Sequence, residues 1–141
     1  MYLTVSILGH RVVADIAWHF LREEIKESLS VTLGKGHSLS SIAAWADEIR
    51  QNPQYHWTAE LHYFDVEDTP PQQCGIDPKR DKLSGPNVVS AIHNFTLQLN
   101  ATTDVQHRSY LEALSFLVHF VGDLHQPLHG AFFAHVLSIR F

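Results

Sequence analysis

Residues 115–129 place histidines and a carboxylate in an otherwise apolar stretch, SFLVHFVGDLHQPLH. Such groups are rarely buried among apolar side chains without a partner that satisfies them, and a metal ion is the obvious candidate. If the stretch is helical, His119 and Asp123 stand four residues apart on one face of the helix. Pro127 would end that helix and leave His129 at its exit. One segment could therefore present metal ligands from a helix and from the turn that follows it.

The composition favours a metal site over a broad nucleic-acid-binding surface. The chain has 141 residues, 45% of them hydrophobic, which is typical of one globular domain. It carries 11 histidines against 10 lysines and arginines, and its net charge is −5. Because there is no basic block, nucleic-acid binding cannot rest on a broad positive surface, and a metal centre would have to supply the positive charge. Dispersed histidines beside aspartates favour metal ligation.

Most of the histidines are given no ligand role. A lone histidine on a helix is more often structural or solvated than a ligand. This interpretation is kept for six of them: His19, His37, His56, His93, His107 and His135. His125 lies inside the stretch 115–129 and is expected at most to support a ligand.

Cysteine usage and sequons bear on the compartment. Cys74 is the single cysteine, so an internal disulfide is impossible. Asn94 and Asn100 begin Asn-X-Thr sequons, which suit a secreted glycoprotein. No apolar stretch reaches transmembrane length, and residues 1–8 lack the length and the basic start of a signal peptide. The protein is therefore expected either to stay inside the cell or to begin upstream of the residues shown.

Helical periodicity predicts two helices in the first third of the chain. Apolar residues recur at helical spacing over residues 9–29, with charged residues between them. Ser38 or Ser40 can cap a second helix that runs to Ile49. Residues 55–64 alternate only loosely and are expected to be extended or irregular.

The second half is predicted to hold a long loop and two further helices. Residues 65–86 are rich in proline and polar residues, and a loop of this length is usually functional or pinned by crosslinks. Pro86 suits the first turn of a third helix. Thr103 or Asp104 can cap a fourth, longer helix through Val121. Nothing requires a sheet, so the predicted fold class is all-α.

Six motifs in order resemble one known family. They are LGH at 8–10, WADEIR at 45–50, LHYFD at 61–65, DTPP at 68–71, VSAI at 89–92 and the stretch 116–129. In this order and spacing they resemble the zinc-dependent single-strand-specific nucleases of fungi and plants, the S1/P1 nuclease family. The resemblance covers residues 5–129. It implies a helical fold shared with bacterial zinc phospholipase C, a cluster of three zinc ions, and secretion.

By motif position, the resemblance implies which residues hold the three ions. The ligands of the first zinc would be Asp47, His62, His119 and Asp123. The third zinc would take His10, with Asp123 reaching it too and, in the family, the amine and carbonyl of an N-terminal Trp. The second zinc would take His129, together with a His and an Asp that the family supplies from a later helix.

The implied activity is hydrolysis of phosphodiester bonds in single-stranded DNA and RNA, and of 3′-nucleotides, to 5′-mononucleotides. Zinc with an open coordination position lowers the pKa of bound water, and paired metals clamp the attacking and leaving oxygens. The implied catalytic residues are Asp47, through its metal, and Arg50, at the scissile phosphate. Tyr63 and Asp65 match positions where the family stacks and hydrogen-bonds a base, and such stacking selects unpaired strands. Neither a membrane nor an obligate protein partner is expected.

The chain departs from the family near its N-terminus and in the long loop. Val5 stands where the family has its Trp, and four residues precede it, so the third site is not expected to form in the usual way. Lys82 and Asn87 replace the cysteine pair that pins the loop in the family. Cys74 keeps its place, but its usual partner is expected beyond the end of this chain.

A larger departure follows His129, where the family continues through a glycine-rich segment to a further helix. Residues 130–141 are interpreted instead as a divergent tail. The chain, residues 1–141, is therefore expected to be a single incomplete nuclease domain whose fold stops after the helix that carries His119 and Asp123. Only the first zinc site is expected to be fully supplied.

Three alternatives remain open. A non-catalytic zinc-binding remnant, or an interaction partner for a longer relative, would keep the first site without nuclease activity. A relative that acts on phospholipid headgroups would suit the implied fold, although Tyr63 and Asp65 argue against it. In addition, Asp47 could be a surface carboxylate paired with Arg50 across one helical turn.

Overall fold

The architecture of the chain is helical throughout the part that the computed structural model describes, residues 7–66, 77, 79–81, 85–101 and 107–126. Its α-helices are α1 (Ile7–Phe20), α2 (Glu23–Leu33), α3 (Trp45–Ile49), α4 (Val88–Ala101) and α5 (His107–Leu124). Two 3₁₀ helices, Leu39–Ser41 and Pro53–His62, flank α3. These ranges contain no strand, which confirms the predicted all-α class. None of the described helices is long and apolar enough to cross a membrane.

Helix α5 is central, and two of its sides face separate apolar clusters. Phe116 and Phe120 lie in the larger cluster, where Phe95 of α4 stacks on Phe116 with ring centroids 4.9 Å apart. Leu114, on another side of α5, lies in a smaller cluster with Ala14 of α1. Burial of each such large side chain contributes roughly 1.5–3 kcal/mol. Because α5 is fixed from two directions, the side between the clusters can hold polar groups in defined positions.

The helix predicted over residues 9–29 is two helices, because the chain bends at Leu21 and Arg22. Arg22 has an extended backbone, with φ −65° and ψ 148°. Ala14 and Leu29 both belong to the smaller cluster, whereas a straight helix would hold them about 22 Å apart. Tertiary packing thus bends a segment whose periodicity is continuous.

The helix predicted from Ser38 or Ser40 to Ile49 is shorter than expected. One 3₁₀ turn, Leu39–Ser41, precedes α3, which has only 5 residues. Ser38 forms no side-chain cap, and its hydroxyl lies 2.9 Å from that of Ser40 instead. Within this irregular stretch the Ala43 carbonyl reaches α5, where it accepts a hydrogen bond.

The expectation that residues 55–64 are extended or irregular is wrong, because most of them belong to the second 3₁₀ helix. Asn52 caps this helix by accepting a hydrogen bond of 3.1 Å from the backbone N–H of Gln54. Proline in the first turn then favours continuation of the helix. Thr58 and Leu61, three residues apart, are both buried, as the period of a 3₁₀ helix requires.

The two later helices agree with the prediction. α4 begins shortly after Pro86, and α5 continues through Val121 to end at Leu124. The caps predicted at Thr103 or Asp104 lie outside the described residues. The described parts of the predicted loop 65–86 contain no helix.

Asn87 ties the start of α4 to the loop before it. Its Oδ1 accepts a hydrogen bond of 2.9 Å from the backbone N–H of Ser90, and its own N–H donates to Ser90 Oγ at 3.0 Å. Its Nδ2 donates to the Gly85 carbonyl at 2.9 Å. The next residue, Val88, donates its N–H to the carbonyl of Tyr63. A reciprocal cap therefore stands where the resemblance implies a cysteine, and it holds α4 beside the end of the second 3₁₀ helix.

We expect Asn87→Ala to lower the free energy of unfolding by about 1 kcal/mol, because it removes a helix cap and the bond to Gly85. Asn94→Ala is the matched control, since Asn94 lies exposed within the same helix. Its effect should stay within about 0.5 kcal/mol. Urea unfolding followed by circular dichroism measures both. Equal effects of the two substitutions would contradict the capping role.

Candidate metal centre

Four elements bring five of the predicted ligands together. His10 lies in α1, Asp47 in the first turn of α3, and His62 at the end of the second 3₁₀ helix. His119 and Asp123 lie four residues apart on α5, on the side between its apolar clusters. Four of these side chains are buried, and Asp47 is partly exposed. Their nitrogen and oxygen atoms form two overlapping groups, each within 4.8 Å, that could hold a metal ion.

The tightest group consists of His62, His119 and Asp123. His62 Nδ1 lies 2.9 Å from Asp123 Oδ2 and 3.1 Å from His119 Nε2. His119 Nε2 lies 3.2 Å from the same carboxylate oxygen. The two contacts of His62 join residues 57 and 61 positions apart in the sequence, so only the tertiary fold creates them.

A backbone carbonyl orients His119. Its Nδ1 donates a hydrogen bond of 2.8 Å to the Ala43 carbonyl, so that nitrogen carries a proton. In the neutral ring, Nε2 then presents a lone pair to the cluster, which is the tautomer that metal ligation needs. His62 differs, because its Nε2 is buried without a hydrogen-bond partner among the described residues.

Asp47 completes a set of four donor atoms whose spacing suits zinc. Its Oδ1 lies 3.8 Å from His119 Nε2 and 4.0 Å from His62 Nδ1. Four ligands at zinc bond lengths in a tetrahedron stand about 3.3 Å from one another. The five separations given above, from 2.9 Å to 4.0 Å, bracket that value. The donors are imidazole nitrogens and carboxylate oxygens, which zinc prefers. The donor types and spacing of these residues are therefore compatible with a bound metal ion, although the groups whose donor atoms all lie within 4.8 Å of one another are His62, His119 and Asp123, and His10, Asp47 and His119.

His10 reaches the opposite oxygens of the same two carboxylates. Its Nε2 lies 3.4 Å from Asp123 Oδ1 and 4.0 Å from Asp47 Oδ2. Its ring stacks on that of His119, with centroids 3.9 Å apart and planes at 18°. Each carboxylate thus divides its oxygens between His10 and the His62–His119 pair. The sequence implied this sharing for Asp123 but not for Asp47.

The electrostatics of the cluster favour a bound cation. Burial alone would raise the pKa of Asp123, but hydrogen bonds from His119 and His62 and their charges hold it well below its ordinary value. Burial likewise opposes protonation of His119, but contact with Asp123 and the bond to Ala43 outweigh it and raise the pKa of His119. A carboxylate that stays ionised when buried requires positive charge nearby, which protons or a metal ion can supply.

Arg50 lies at the edge of the cluster. Its Nη2 is 3.6 Å from Asp47 Oδ1, and its side chain is 29% exposed. This is the pairing across one helical turn that the sequence left open, and it joins Arg50 to a candidate ligand.

The two residues predicted to contact a base lie just after His62. Tyr63 follows His62 directly and is half-buried, while Asp65 is exposed.

Several predicted residues lie away from this centre or outside the described residues. Asn94 and Asn100 are exposed on α4, where their side chains face solvent. His125 is exposed, and its Nδ1 donates to the Val121 carbonyl. The described histidines that were given no ligand role are also exposed: His19, His37, His56 and His93. The predictions that concern Cys74, Lys82, His129, His135 and the tail 130–141 fall outside the described residues.

Sequence reasoning missed Gly122, on which the position of His10 depends. A Cβ at Gly122 would overlap with His10 Nδ1 and lie 3.2 Å from Cε1 of the same ring. The absence of a side chain therefore lets α1 bring His10 against α5. The glycine stands inside a helix and beside a candidate ligand, and a glycine in a helix interior usually has a packing or functional reason.

We expect Gly122→Ala to lower the free energy of unfolding by about 1–3 kcal/mol, because the methyl group overlaps the His10 ring. In a His10→Ala background the clash partner is gone, so the same substitution should cost little or even stabilise the helix. Thermal unfolding of the four proteins of this double-mutant cycle, treated with a chelator, measures the coupling. An equal cost in both backgrounds would show that the glycine does not serve His10.

Comparison with known proteins shows which family the chain is similar to. The sequence model of the S1/P1 nuclease family matches residues 6–135. Nuclease P1 of Penicillium citrinum is 42% identical over 129 residues, which cover 90% of this chain and 47% of that relative. Endonuclease 4 of Arabidopsis thaliana is 38% identical over 135 residues, covering 88% and 44%. Nuclease S1 of Aspergillus oryzae is 37% identical over 124 residues, covering 86% and 42%.

The chain thus spans less than half the length of these relatives. The match nevertheless extends over most of the chain and includes every residue of the candidate metal centre. The resemblance of the six motifs is confirmed, and the chain belongs to the S1/P1 nuclease family.

Proposed function

We propose that this chain carries the zinc-binding part of a phosphodiesterase that hydrolyses single-stranded DNA and RNA, and 3′-nucleotides, to 5′-mononucleotides. One observation carries the proposal. His62 Nδ1, His119 Nε2 and Asp123 Oδ2 converge within 3.2 Å of one another, and Asp47 Oδ1 lies 3.8–4.0 Å from the two histidine nitrogens. They do so in a chain that belongs to a nuclease family.

The proposed residues divide the work between holding the metal and arranging its surroundings. Zinc in such a set supplies Lewis acidity and a water that loses its proton near neutral pH. Asp123 and Asp47 keep negative charge in the centre and offer oxygens on two sides. The proposal therefore includes one further ion beside His10, at the position that the family resemblance implies for the third zinc. Ala43 keeps the His119 ring in the tautomer that faces the metal.

Arg50 is the proposed partner of the scissile phosphate. Its partly exposed guanidinium lies beside Asp47 at the edge of the centre, where a phosphate entering from solvent would meet it. A planar guanidinium can donate two parallel hydrogen bonds to phosphate oxygens. Fixed donors of this kind stabilise the charge that develops as the phosphodiester bond breaks.

The proposed substrate is an unpaired strand. Tyr63 directly follows His62, so an aromatic ring for base stacking stands next to a candidate ligand, and Asp65 offers a nearby acceptor. Base stacking on one aromatic side chain tolerates any base that is free of the duplex. With a net charge of −5, the chain lacks the broad positive surface that non-specific duplex binding requires.

A second candidate function is zinc binding without catalysis. It rests on the convergence of His and Asp donor atoms, which by itself calls only for a bound metal ion. In that case the first site fills, but no substrate is hydrolysed.

We expect the purified chain to bind at least one zinc ion, and His119→Ala to weaken zinc affinity at least about 100-fold. His93→Ala is the control, because His93 is an exposed histidine on α4. Metal analysis by mass spectrometry and calorimetric titration of chelator-treated protein measure both variants. Wild-type zinc affinity in His119→Ala, or an equal loss in His93→Ala, would refute the site.

We expect the zinc-loaded chain to cut a single-stranded oligonucleotide and to spare the duplex, with activity abolished by a chelator. Arg50→Ala should lower kcat by about 10²- to 10³-fold while zinc content stays unchanged, because a charge-stabilising donor is lost. Chromatographic assay of 5′-nucleotides measures the rate. A chain that holds zinc but leaves the oligonucleotide intact is the non-catalytic protein. Release of phospholipid headgroups instead would favour the alternative of a phospholipase C-like enzyme.

Secretion and carbohydrate at Asn94 and Asn100 are proposed from the sequons and from the family resemblance. Both asparagines lie on one exposed helix, α4, where a glycan would not meet the core. A smaller apparent mass after enzymatic removal of N-glycans from protein expressed in a eukaryotic host tests this proposal. An unchanged mass contradicts it.

A further inference from the structure

The second 3₁₀ helix carries two different rows of side chains, because residues three apart in a 3₁₀ helix lie above one another. Thr58 and Leu61 form an inner row and are buried. A second row, here called the outer row, consists of Trp57, Glu60 and Tyr63, the residue at which the helix ends. Trp57 and Glu60 are exposed, and Tyr63 is half-buried. The outer row therefore begins and ends with an aromatic residue and opens to solvent.

The core holds Trp57 in place but leaves much of it exposed. Its ring packs on Phe116 of α5, with ring centroids 6.1 Å apart and planes at 51°. Phe116 is 1% exposed and lies one turn before His119 on the same helix, whereas Trp57 is 58% exposed. The indole is therefore fixed relative to the candidate metal centre. A rigid aromatic side chain that solvent reaches is a surface on which a flat partner can stack.

The spacing of the two aromatic residues suits a strand of nucleic acid. A 3₁₀ helix rises about 2.0 Å per residue, so Trp57 and Tyr63 stand about 12 Å apart along its axis. One base cannot contact both side chains over that distance. Neighbouring bases of a strand are about 3.4 Å apart when stacked and further apart when extended, so no more than about four nucleotides separate the two positions.

We propose that Trp57 is a second stacking position for the unpaired substrate strand, a few nucleotides from the base at Tyr63. This inference rests on the proposed function and extends it along the strand. Stacking on an aromatic side chain tolerates any base and needs no basic side chain, which suits a chain with a net charge of −5. Glu60 lies between the two positions and repels phosphate groups. The strand therefore turns its bases, and not its backbone, toward the outer row.

The test measures how affinity depends on strand length. The full zinc-loaded chain is titrated by calorimetry with thymidine oligonucleotides of two and of six nucleotides, whose phosphorodithioate linkages resist hydrolysis. We expect the wild type to bind the longer strand more tightly. Trp57→Leu should weaken binding of the hexanucleotide at least about fivefold and leave the dinucleotide unchanged, because only the longer strand loses a base–aromatic stack. Trp57→Phe should retain most of the affinity, because a phenyl ring still offers a face to a base.

The controls separate stacking from packing. Phe20→Leu is the matched control, because Phe20 is an aromatic residue of α1 that is 80% exposed. It should change the affinity for neither strand. Circular dichroism checks that the variants are folded. Trp57→Met, which keeps a flexible apolar side chain against Phe116, replaces Trp57→Leu if that variant does not fold.

Each outcome decides the inference. Wild-type affinity of Trp57→Leu for the hexanucleotide would overturn it. An equal loss for both strands would also overturn it, because Trp57 would then act only through the core. If the chain hydrolyses oligonucleotides without any effect of Trp57, the proposed function stands and this inference fails. If Trp57 strengthens binding of the longer strand in a chain that hydrolyses nothing, this inference stands and the proposed catalysis fails. Absence of binding to either strand would refute both.

Discussion

The charge of Asp123 must be compensated inside the protein, and the described part of the chain is arranged to do so. This carboxylate is 2% exposed, yet its two oxygens lie within 3.4 Å of imidazole nitrogens from three different elements. A buried anion of this kind is stable only when positive charge or hydrogen-bond donors surround it. Three histidines meet that requirement. The same arrangement brings together donor atoms that could hold a metal ion.

The apolar core positions this polar centre. Phe116 and Phe120 fix one side of α5, and Leu114 fixes another, so His119 and Asp123 have little freedom to turn away. The position of His10 depends on Gly122, since any side chain there would push α1 outward. Packing density and ligand geometry are therefore linked, because a shift of α1 by the width of one methyl group would separate His10 from both carboxylates.

Local sequence rules predicted the long helices and failed where tertiary contacts override periodicity. α4 and α5 were predictable because their apolar spacing is regular and flanked by clear signals. The bend at Leu21 and Arg22 was not, because the chain bends to bring Ala14 and Leu29 into one cluster. The 3₁₀ helix that carries His62 was not predicted either, although Asn52 caps it. The Asn-Pro pair at 52–53 is a signal for this cap, because Asn is a preferred N-cap residue and Pro is preferred in the first turn of a helix. The three-residue period of the segment was hard to recognise because polar and apolar residues are mixed along it.

The sequence by itself determined the family, the all-α class and the identity of the candidate ligands, since these follow from residue types and short spacings. It also determined that His119 and Asp123 share a helical face. The tertiary structure alone decided that each carboxylate divides its oxygens between His10 and the other histidines, that the Ala43 carbonyl fixes the His119 tautomer, and that Gly122 admits His10. The physical reason is distance along the chain. His119 lies 76 residues from Ala43 and 57 from His62, and no local periodicity reports contacts between elements so far apart.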